Sequence, residues 1–184
     1  MSKGRGWVGY RRFLMGDNAA LEETVRLYSD ALVRFARCYV HDPALAEDLM
    51  EDAFVTLILK RIQFGEEEQL RAYLYKTVRT KCLDYLRKRK RLVALSDFSD
   101  KLIAEQTENT LLEQERAQEV RRAIEKLPKQ YQEILQLTYY GDLGVAEICE
   151  ALGKSQKQVY NLLARAKAAL GKVLKKEGIF HENL

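Results

Sequence analysis

The most informative stretch of the sequence covers residues 145–170 and reads VAEICEALGKSQKQVYNLLARAKAAL. Its apolar spacing predicts a short helix over residues 145–152 and a long helix over 156–175, with a brief turn between them. Gly153 suits the turn because glycine adopts a left-handed backbone at little cost, and Ser155 is a good N-cap for the second helix. The side chains expected to face inward are Ile148, Leu152, Val159, Leu163 and Ala166. Together these features predict a helix-turn-helix unit.

The outward face of the second helix carries groups that can bind DNA. Long donors, an amide and an aromatic ring suit base edges and phosphates in a major groove, and here they are Lys157, Gln158, Tyr160, Asn161 and Arg165. Residues 154–176 contain seven Lys or Arg and no acid. The alternative is an ordinary helical hairpin whose basic face is solvated. The glycine turn, the serine cap and the uncompensated charge favour duplex DNA.

A second basic segment lies at residues 71–91, which hold nine Lys or Arg against a single acid, Asp84. Tyr73, Tyr75 and Tyr85 interleave with these cations. Rings that stack on bases and charges that follow phosphates are what single-stranded nucleic acid requires. The alternative is a solvated helix end, because cations are favourable at helix C-termini, with Tyr85 in the core.

Long stretches without glycine or proline predict long helices in the rest of the chain. No segment shows sustained alternation with a period of two, so we expect essentially no sheet. Asp17 and the Asp42-Pro43 pair are helix-start signals. The predicted helices span residues 17–41, 42–61, 70–91, 112–127 and 129–140, with a loop over 64–69.

Residues 92–110 interrupt this helical pattern. They lose the helical period and turn acidic, so we interpret them as a flexible linker. Such a segment is too long for a comfortable loop inside one compact domain. The expected fold class is therefore all-α, with two small helical domains at residues 1–91 and 111–184. The helix-turn-helix lies in the second domain.

Composition excludes several other classes of protein. The chain has 184 residues, 47% apolar and 32% charged, which is enough apolar material for folded cores. No apolar run approaches the roughly 18 residues of a membrane span, and no apolar stretch follows the basic N-terminus as in a secretory signal. We therefore expect a cytoplasmic protein that is not itself in a membrane.

Sites for catalysis or metal binding are also not expected. Cys38, Cys82 and Cys149 are widely separated, and His41 and His181 are the only histidines. A disulfide framework or zinc site would need clusters of these residues, so we expect the thiols to be buried as small apolar groups. The sequence has no phosphate-cradling glycine loop and no nucleophile constellation. We expect no enzyme activity, no cofactor, no metal and no small-molecule substrate.

In this order and spacing, the segments resemble RNA polymerase sigma factors of the extracytoplasmic-function (ECF) group, the short kind with two conserved domains. The resemblance runs from about Gly16 to Leu174. Residues 46–54, AEDLMEDAF, are similar to the family segment that docks on the clamp helices of the polymerase largest subunit. Residues 70–88 look like the helix that melts and reads the minus-ten promoter element. Residues 127–166 are similar to the domain that reads the minus-thirty-five element.

The resemblance implies a factor that binds core RNA polymerase and directs promoter-specific initiation. The implied polymerase-binding residues are Asp48, Leu49, Glu51, Asp52, Phe54 and Leu57, with the three apolar side chains forming a surface beside the acids. The implied minus-ten residues are Tyr73, Lys76, Arg79, Thr80, Lys81, Asp84, Arg87 and Lys88. The implied minus-thirty-five residues are Ser155, Lys157, Gln158, Tyr160, Asn161 and Arg165. The implied partners are the clamp helices, the flap of the second-largest subunit, promoter DNA and an anti-sigma factor.

Two other functions remain open at this stage. One is a DNA-binding regulator whose helical partner domain has no polymerase role, although the acidic second helix and the tyrosine-rich third helix argue against it. The other is a relative that acts only as a scaffold. We also hypothesise that acids of the linker, Asp97, Asp100, Glu105 and Glu108, compete for the basic surfaces and hold the free protein compact.

Overall fold

The computed structural model describes residues 5–95 and 113–179, and within these ranges the fold is helical without a strand. The predicted all-α class is confirmed. The N-terminal group contains α1 (Arg5–Leu14), α2 (Ala20–Ala36), α3 (Pro43–Lys60) and α4 (Glu67–Leu95). The C-terminal group contains α5 (Glu113–Glu125), α6 (Lys129–Leu135, continued as a π-helical turn over Gln136–Tyr140), α7 (Val145–Leu152) and α8 (Gln156–Lys176).

The α3 and α8 helices begin directly after the capping residues that the sequence predicts for them. The carboxylate of Asp42 accepts hydrogen bonds from the backbone N–H groups of Ala44 (3.0 Å) and Leu45 (3.3 Å). Ser155 and Gln158 form a reciprocal capping box at the start of α8, with bonds of 3.3 Å and 2.9 Å. Gly153 adopts the left-handed backbone, with φ 63°. The helix-turn-helix is therefore confirmed, with α7 and α8 as its helices.

Three parts of the predicted element map need correction. The sequence pattern does not predict α1. The helix predicted over residues 17–41 spans only Ala20–Ala36, because Ala19 occupies its N-cap position and Asp17 pairs with Arg12. The pattern also puts the start of the linker at residue 92, whereas α4 continues to Leu95, because leucine and alanine have high helix propensity and no breaker follows Arg91. The rest of the predicted linker, with the four acids assigned a masking role, lies outside the described residues.

The α1 helix packs so closely on α2 that its glycines are required. A Cβ atom on Gly6 would lie 2.5 Å from the ring of Tyr28, and one on Gly9 would lie 2.8 Å from the carbonyl oxygen of Ala20. The hydroxyl of Thr24 uses the close approach to donate a 2.8 Å hydrogen bond to the carbonyl of Gly6. Glycines that interrupt the helical pattern in the sequence are thus the residues that allow this contact.

The buried side chains of both groups form one continuous apolar cluster. Fully buried members include Leu32, Phe35, Leu57, Leu70, Leu74, Val78, Ile134, Leu137, Ile148 and Val159. Cys38 and Cys82 are buried in it and Cys149 is half-buried. Burial raises the pKa of the Cys38 and Cys82 thiols to about 12, which keeps them protonated and unreactive at neutral pH.

None of the helices that the structure describes is long and apolar enough to cross a bilayer.

The close α1–α2 contact can be tested with two glycine substitutions. Gly9→Ala is expected to lower the free energy of unfolding by about 1–3 kcal/mol, because overpacking forces the helices apart. Gly171→Ala in α8 is the matched control, since its Cβ would meet nothing within 4 Å, and alanine is about 0.5–1 kcal/mol more favourable there. Denaturant unfolding measures both changes. Equal changes in stability for the two variants would contradict the contact.

Candidate nucleic-acid interface

The outer face of α8 is open to solvent along its first three turns. Lys157, Asn161 and Arg165 follow one another at intervals of four residues and lie on one side of the helix. Gln158 and Tyr160 flank them, and all five side chains are exposed, as is the capping residue Ser155. The structure therefore brings together every residue that the sequence analysis assigned to duplex recognition.

A shallow cleft of about 220 Å³ lies between this face and α6. Its walls combine amides, cations and an aromatic ring, contributed by Gln130, Tyr131, Lys154, Gln158, Asn161, Leu162 and Arg165. The cleft adds Gln130 and Tyr131 of α6 to the polar surface around the recognition helix. Neither residue was among the predicted contact residues, because the sequence alone does not show which face of α6 adjoins α8.

The α4 helix carries a second exposed polar surface, which we call the α4 stripe: Lys76, Thr80, Asp84, Arg87 and Lys88. These residues recur at three or four positions and so lie on one side of the helix. Asp84 and Arg87 form an ion pair at 2.9 Å with both side chains more than half exposed. A pair this exposed contributes little to stability, so its groups are available to a ligand.

The other predicted minus-ten residues have partners within the protein. Tyr73 packs its ring against Phe64 at 5.4 Å, and its hydroxyl is buried without a hydrogen-bond partner in the described structure. Lys81 lies 3.5 Å from the carboxylate of Asp52. Arg79 faces the C-terminal group. The structure thus separates Tyr73, Arg79 and Lys81 from the α4 stripe.

The prediction that three apolar side chains of α3 form an exposed polymerase-docking surface is wrong. Leu49, Phe54 and Leu57 retain only 8%, 4% and 0% exposure, because these side chains face α2 and α4 in the core. Apolar residues occur on all sides of α3, so their spacing alone does not distinguish the inner face. The exposed acids mark the outer face of α3. Two exposed apolar side chains, Val55 and Leu59, lie on the same face. We call these residues the α3 face: Asp48, Glu51, Asp52, Val55 and Leu59.

The two helical groups are joined by a charged contact that sequence analysis did not find. The guanidinium of Arg71 in α4 donates two hydrogen bonds of 2.9 Å to the carboxylate of Glu147 in α7. The same carboxylate accepts a 2.7 Å bond from the backbone N–H of Gly144 and so caps α7. Burial raises the pKa of Glu147, although the Gly144 N–H and Arg71 oppose this shift. Glu147 therefore fixes the start of the helix-turn-helix against α4.

A second cluster centres on the buried carboxylate of Glu133 in α6. The hydroxyl of Tyr39 donates a hydrogen bond to it, and the Nε of Arg79 lies 3.6 Å away. The ammonium of Lys129 lies 4.6 Å from the centre of the Tyr39 ring. Burial raises the pKa of Tyr39, with Glu133 adding to the shift, and burial lowers the pKa of Lys129. These contacts hold α6 against α4 and against the segment that follows α2.

The central residue of this interface is Tyr75, which lies between the two arginines on α4. It is buried, and a Cβ atom on Gly141 would lie 2.8 Å from its hydroxyl oxygen. Arg71, Tyr75 and Arg79 are spaced four residues apart, so α4 presents one side to the C-terminal group and another to solvent. We call this set the group interface: Tyr39, Arg71, Tyr75, Arg79, Lys129, Glu133, Gly141 and Glu147. The partners that meet across it, such as Arg71 and Glu147, are 76 positions apart, which is too far for any local pattern to pair them.

The two helical groups match two regions of a known protein family. Residues 24–92 match Sigma-70 region 2, and residues 117–170 match Sigma-70 region 4. Together the two matches cover two thirds of the chain. The chain belongs to the sigma-70 family, in its extracytoplasmic-function group. It is a sigma factor that directs promoter-specific transcription initiation. Region 2 contains α4 and the α3 face, and region 4 contains the helix-turn-helix.

Relatives of this sigma factor match it over most of their length. It is 26% identical to the ECF RNA polymerase sigma factor SigM of Bacillus subtilis, across 88% of this chain and 99% of SigM. It is 28% identical to the RNA polymerase sigma-E factor of Streptomyces coelicolor, across 85% of this chain and 86% of that protein.

Solved structures share the fold. The sigma factor RpoE from Bartonella quintana, crystallised with the anti-sigma factor NepR, superposes with a TM-score of 0.68 at 23% identity, across 84% of this chain and 96% of RpoE. CnrH, solved in complex with the cytosolic domain of CnrY, gives a TM-score of 0.65 at 20% identity, across 94% and 98% of the two chains.

The charge pair in the group interface predicts a pH-dependent substitution effect. Arg71→Ala leaves the Glu147 carboxylate buried without its partner, and breaking such a pair costs about 3 kcal/mol. Because the loss of Arg71 removes an influence that lowers the pKa of Glu147, its pKa rises further. The penalty is therefore largest at neutral pH and shrinks at acidic pH, as the carboxyl becomes protonated.

Denaturant unfolding of wild type and Arg71→Ala at the two pH values measures this penalty. The matched control is Arg87→Ala, whose exposed pair with Asp84 is worth about 1 kcal/mol or less at either pH. Glu147→Gln in the Arg71→Ala background should abolish the pH dependence of the penalty. A penalty that is the same at both pH values would contradict the assigned role of Glu147.

Proposed function

We propose that this sigma factor divides promoter reading between its two groups. The α8 face, which consists of Ser155, Lys157, Gln158, Tyr160, Asn161 and Arg165, reads the minus-thirty-five element as duplex DNA. The α4 stripe melts and reads the minus-ten element. The observation that supports this division best is the exposure of the whole predicted α8 set on one helix face. The α4 stripe, with four cations or hydroxyls at helical spacing around Asp84, supplies the phosphate-following surface of the second reader.

The same division defines the domains. We assign residues 1–91 to polymerase docking and minus-ten recognition and residues 111–184 to minus-thirty-five recognition, with 92–110 as the linker. The family matches at 24–92 and 117–170 support these boundaries. The helical continuation of α4 to Leu95 extends the first domain slightly into the segment assigned to the linker.

The closed arrangement of the two groups has to open on a promoter. The names of the two elements put their centres about 25 base pairs apart, which is roughly 85 Å along B-form DNA. A compact chain of 184 residues has a radius of gyration of only about 16 Å. While Arg71 and Glu147 are in contact, α4 and α8 therefore cannot occupy both elements. The closed form is the free state, and separation of the group interface accompanies promoter binding.

The α3 face is the surface that we assign to the polymerase clamp helices. It combines three exposed acids with Val55 and Leu59, which are 50% and 77% exposed. An apolar centre rimmed by charge is typical of protein interfaces. The assigned surface keeps the acids that the sequence predicts. Exposed Val55 and Leu59 take the place of the predicted apolar residues, which are buried.

The remaining partners follow from the same role. A non-catalytic factor of this kind works with core polymerase and promoter DNA in the cytoplasm, contacting the polymerase flap through its C-terminal domain. We also assign it an anti-sigma factor, because the RpoE structure that it resembles contains the anti-sigma factor NepR. An anti-sigma factor that keeps the group interface closed would prevent α4 and α8 from binding both promoter elements at once.

Transcription from duplex and pre-melted promoters tests the division of promoter reading. Lys157→Ala or Arg165→Ala should reduce initiation from a duplex promoter about tenfold, since one lost base contact is worth about 1–3 kcal/mol. A template pre-melted at the minus-ten element should restore these variants, because the strands are already separated. Lys76→Ala should stay defective on the pre-melted template. Equal rescue of both kinds of variant would contradict the division.

Polymerase binding tests the α3 face. Asp52→Lys combined with Leu59→Ala should weaken binding to purified core polymerase at least thirtyfold, because an interface anchor is worth about 2 kcal/mol or more. The matched control reverses an exposed acid and truncates an exposed leucine on α2, as Glu22→Lys with Leu27→Ala. Unchanged binding by the α3 variant, measured with labelled protein, would reject this surface and favour a regulator without a polymerase role.

A further inference from the structure

The α1 helix precedes both family matches, which begin at residue 24 and residue 117, and neither match gives it a role. It packs on α2, but it also reaches the connection between α3 and α4, residues 61–66. This connection leads directly into the helix that carries the α4 stripe.

Three long-range hydrogen bonds tie α1 to the connection. The indole N–H of Trp7 donates to the carbonyl of Phe64 at 3.1 Å, and the hydroxyl of Tyr10 donates to the carbonyl of Ile62 at 2.9 Å. In the opposite direction, the guanidinium of Arg61 donates to the carbonyl of Leu14 at 3.0 Å. These bonds satisfy backbone groups that lie outside a helix ladder, so α1 holds the shape of the connection.

The backbone of the connection depends on this support. Arg61 is a non-glycine residue in the left-handed region, with φ 45°. Its side chain is held over the ring of Phe13 at 5.1 Å as well as by the carbonyl of Leu14. A conformation that disfavours side chains persists where neighbouring contacts determine it, and here those contacts come from α1.

A chain of aromatic contacts continues from α1 into α4. The buried ring of Tyr10 lies 5.8 Å from that of Phe64, and Phe64 lies 5.4 Å from Tyr73. Tyr73 is therefore placed by a residue of the connection, and that residue is placed by Trp7 and Tyr10. The position of the first turns of α4 depends on α1.

We propose that Trp7 and Tyr10 are positioning residues for minus-ten recognition, acting through the 61–66 connection and Tyr73. The inference rests on the proposed reading of the minus-ten element by α4. It assigns α1 a role in binding single-stranded promoter DNA that is separate from polymerase docking, because the bonds described above join α1 to Arg61, Ile62 and Phe64, which lie outside the α3 face.

The test uses variants that remove one hydrogen-bond donor and keep a ring: Trp7→Phe, Tyr10→Phe and the double substitution. Each is assembled with core polymerase, and binding of a labelled single-stranded minus-ten oligonucleotide is measured. Loss of one hydrogen bond is expected to weaken binding about three- to tenfold, and loss of both to weaken it further. Affinity for core polymerase should match wild type.

Two control variants separate positioning from loss of folding. Val8→Ala changes an exposed side chain on α1 itself, and Tyr139→Phe removes an exposed tyrosine hydroxyl in the C-terminal group. Both should bind the oligonucleotide as wild type does. Trp7 is the only tryptophan in the chain, so its emission in free Tyr10→Phe shows whether α1 is still docked. If the double variant does not fold, the two single variants still test the proposal.

The outcomes distinguish the inference from the proposed function. If wild type binds the oligonucleotide and the single variants bind equally well, the positioning role is rejected. A parallel loss of oligonucleotide and polymerase binding also rejects it, because that pattern indicates a general structural defect. Failure of the wild-type complex to bind the oligonucleotide would instead overturn minus-ten reading by α4, and the inference with it.

Discussion

The carboxylate of Glu147 is the group on which the arrangement of this sigma factor depends. It caps the first helix of the helix-turn-helix through Gly144 and accepts hydrogen bonds from Nε and Nη2 of Arg71 on α4. Because the carboxylate is buried, its charge requires both sets of donors to be present. One side chain therefore fixes the orientation of the helix-turn-helix and its attachment to the rest of the protein.

This attachment gives α4 three different sides. One side is buried in the core through Leu70, Leu74 and Val78. A second carries the residues of the group interface, and a third carries the α4 stripe. The closed state neutralises Arg71 and Arg79 with two carboxylates of the C-terminal group, but it leaves the α4 stripe and the α8 face exposed. If α4 and α8 read the promoter as proposed, closure keeps them too close together to span it, without covering either surface.

The sequence predicts those features that depend on local chemistry. Caps such as Asp42 and Ser155, the left-handed Gly153 and the inward face of α8 follow from rules within a few residues, and the structure contains them. The interface between groups does not follow, because Arg71 and Glu147 are 76 positions apart and their residue types are equally common on solvated surfaces. Only the acidic half of the α3 face was predicted. Acids mark the exposed side of α3, whereas apolar residues occur on all sides of this helix and do not show which of them are buried. The α1 helix was missed because Gly6 and Gly9 are helix breakers unless another helix lies against them.

The most direct test of this account is the distance between the two groups in the free protein and on a promoter. Spin labels at positions 68 and 146, both exposed and close to the Arg71–Glu147 pair, report this distance by electron double resonance once Cys149 is replaced by serine. The buried thiols of Cys38 and Cys82 should not take up label, because their pKa is raised to about 12. The account predicts a single short distance in the free protein, replaced by a much longer one when core polymerase and promoter DNA are added. A short distance that persists in the promoter complex would contradict it.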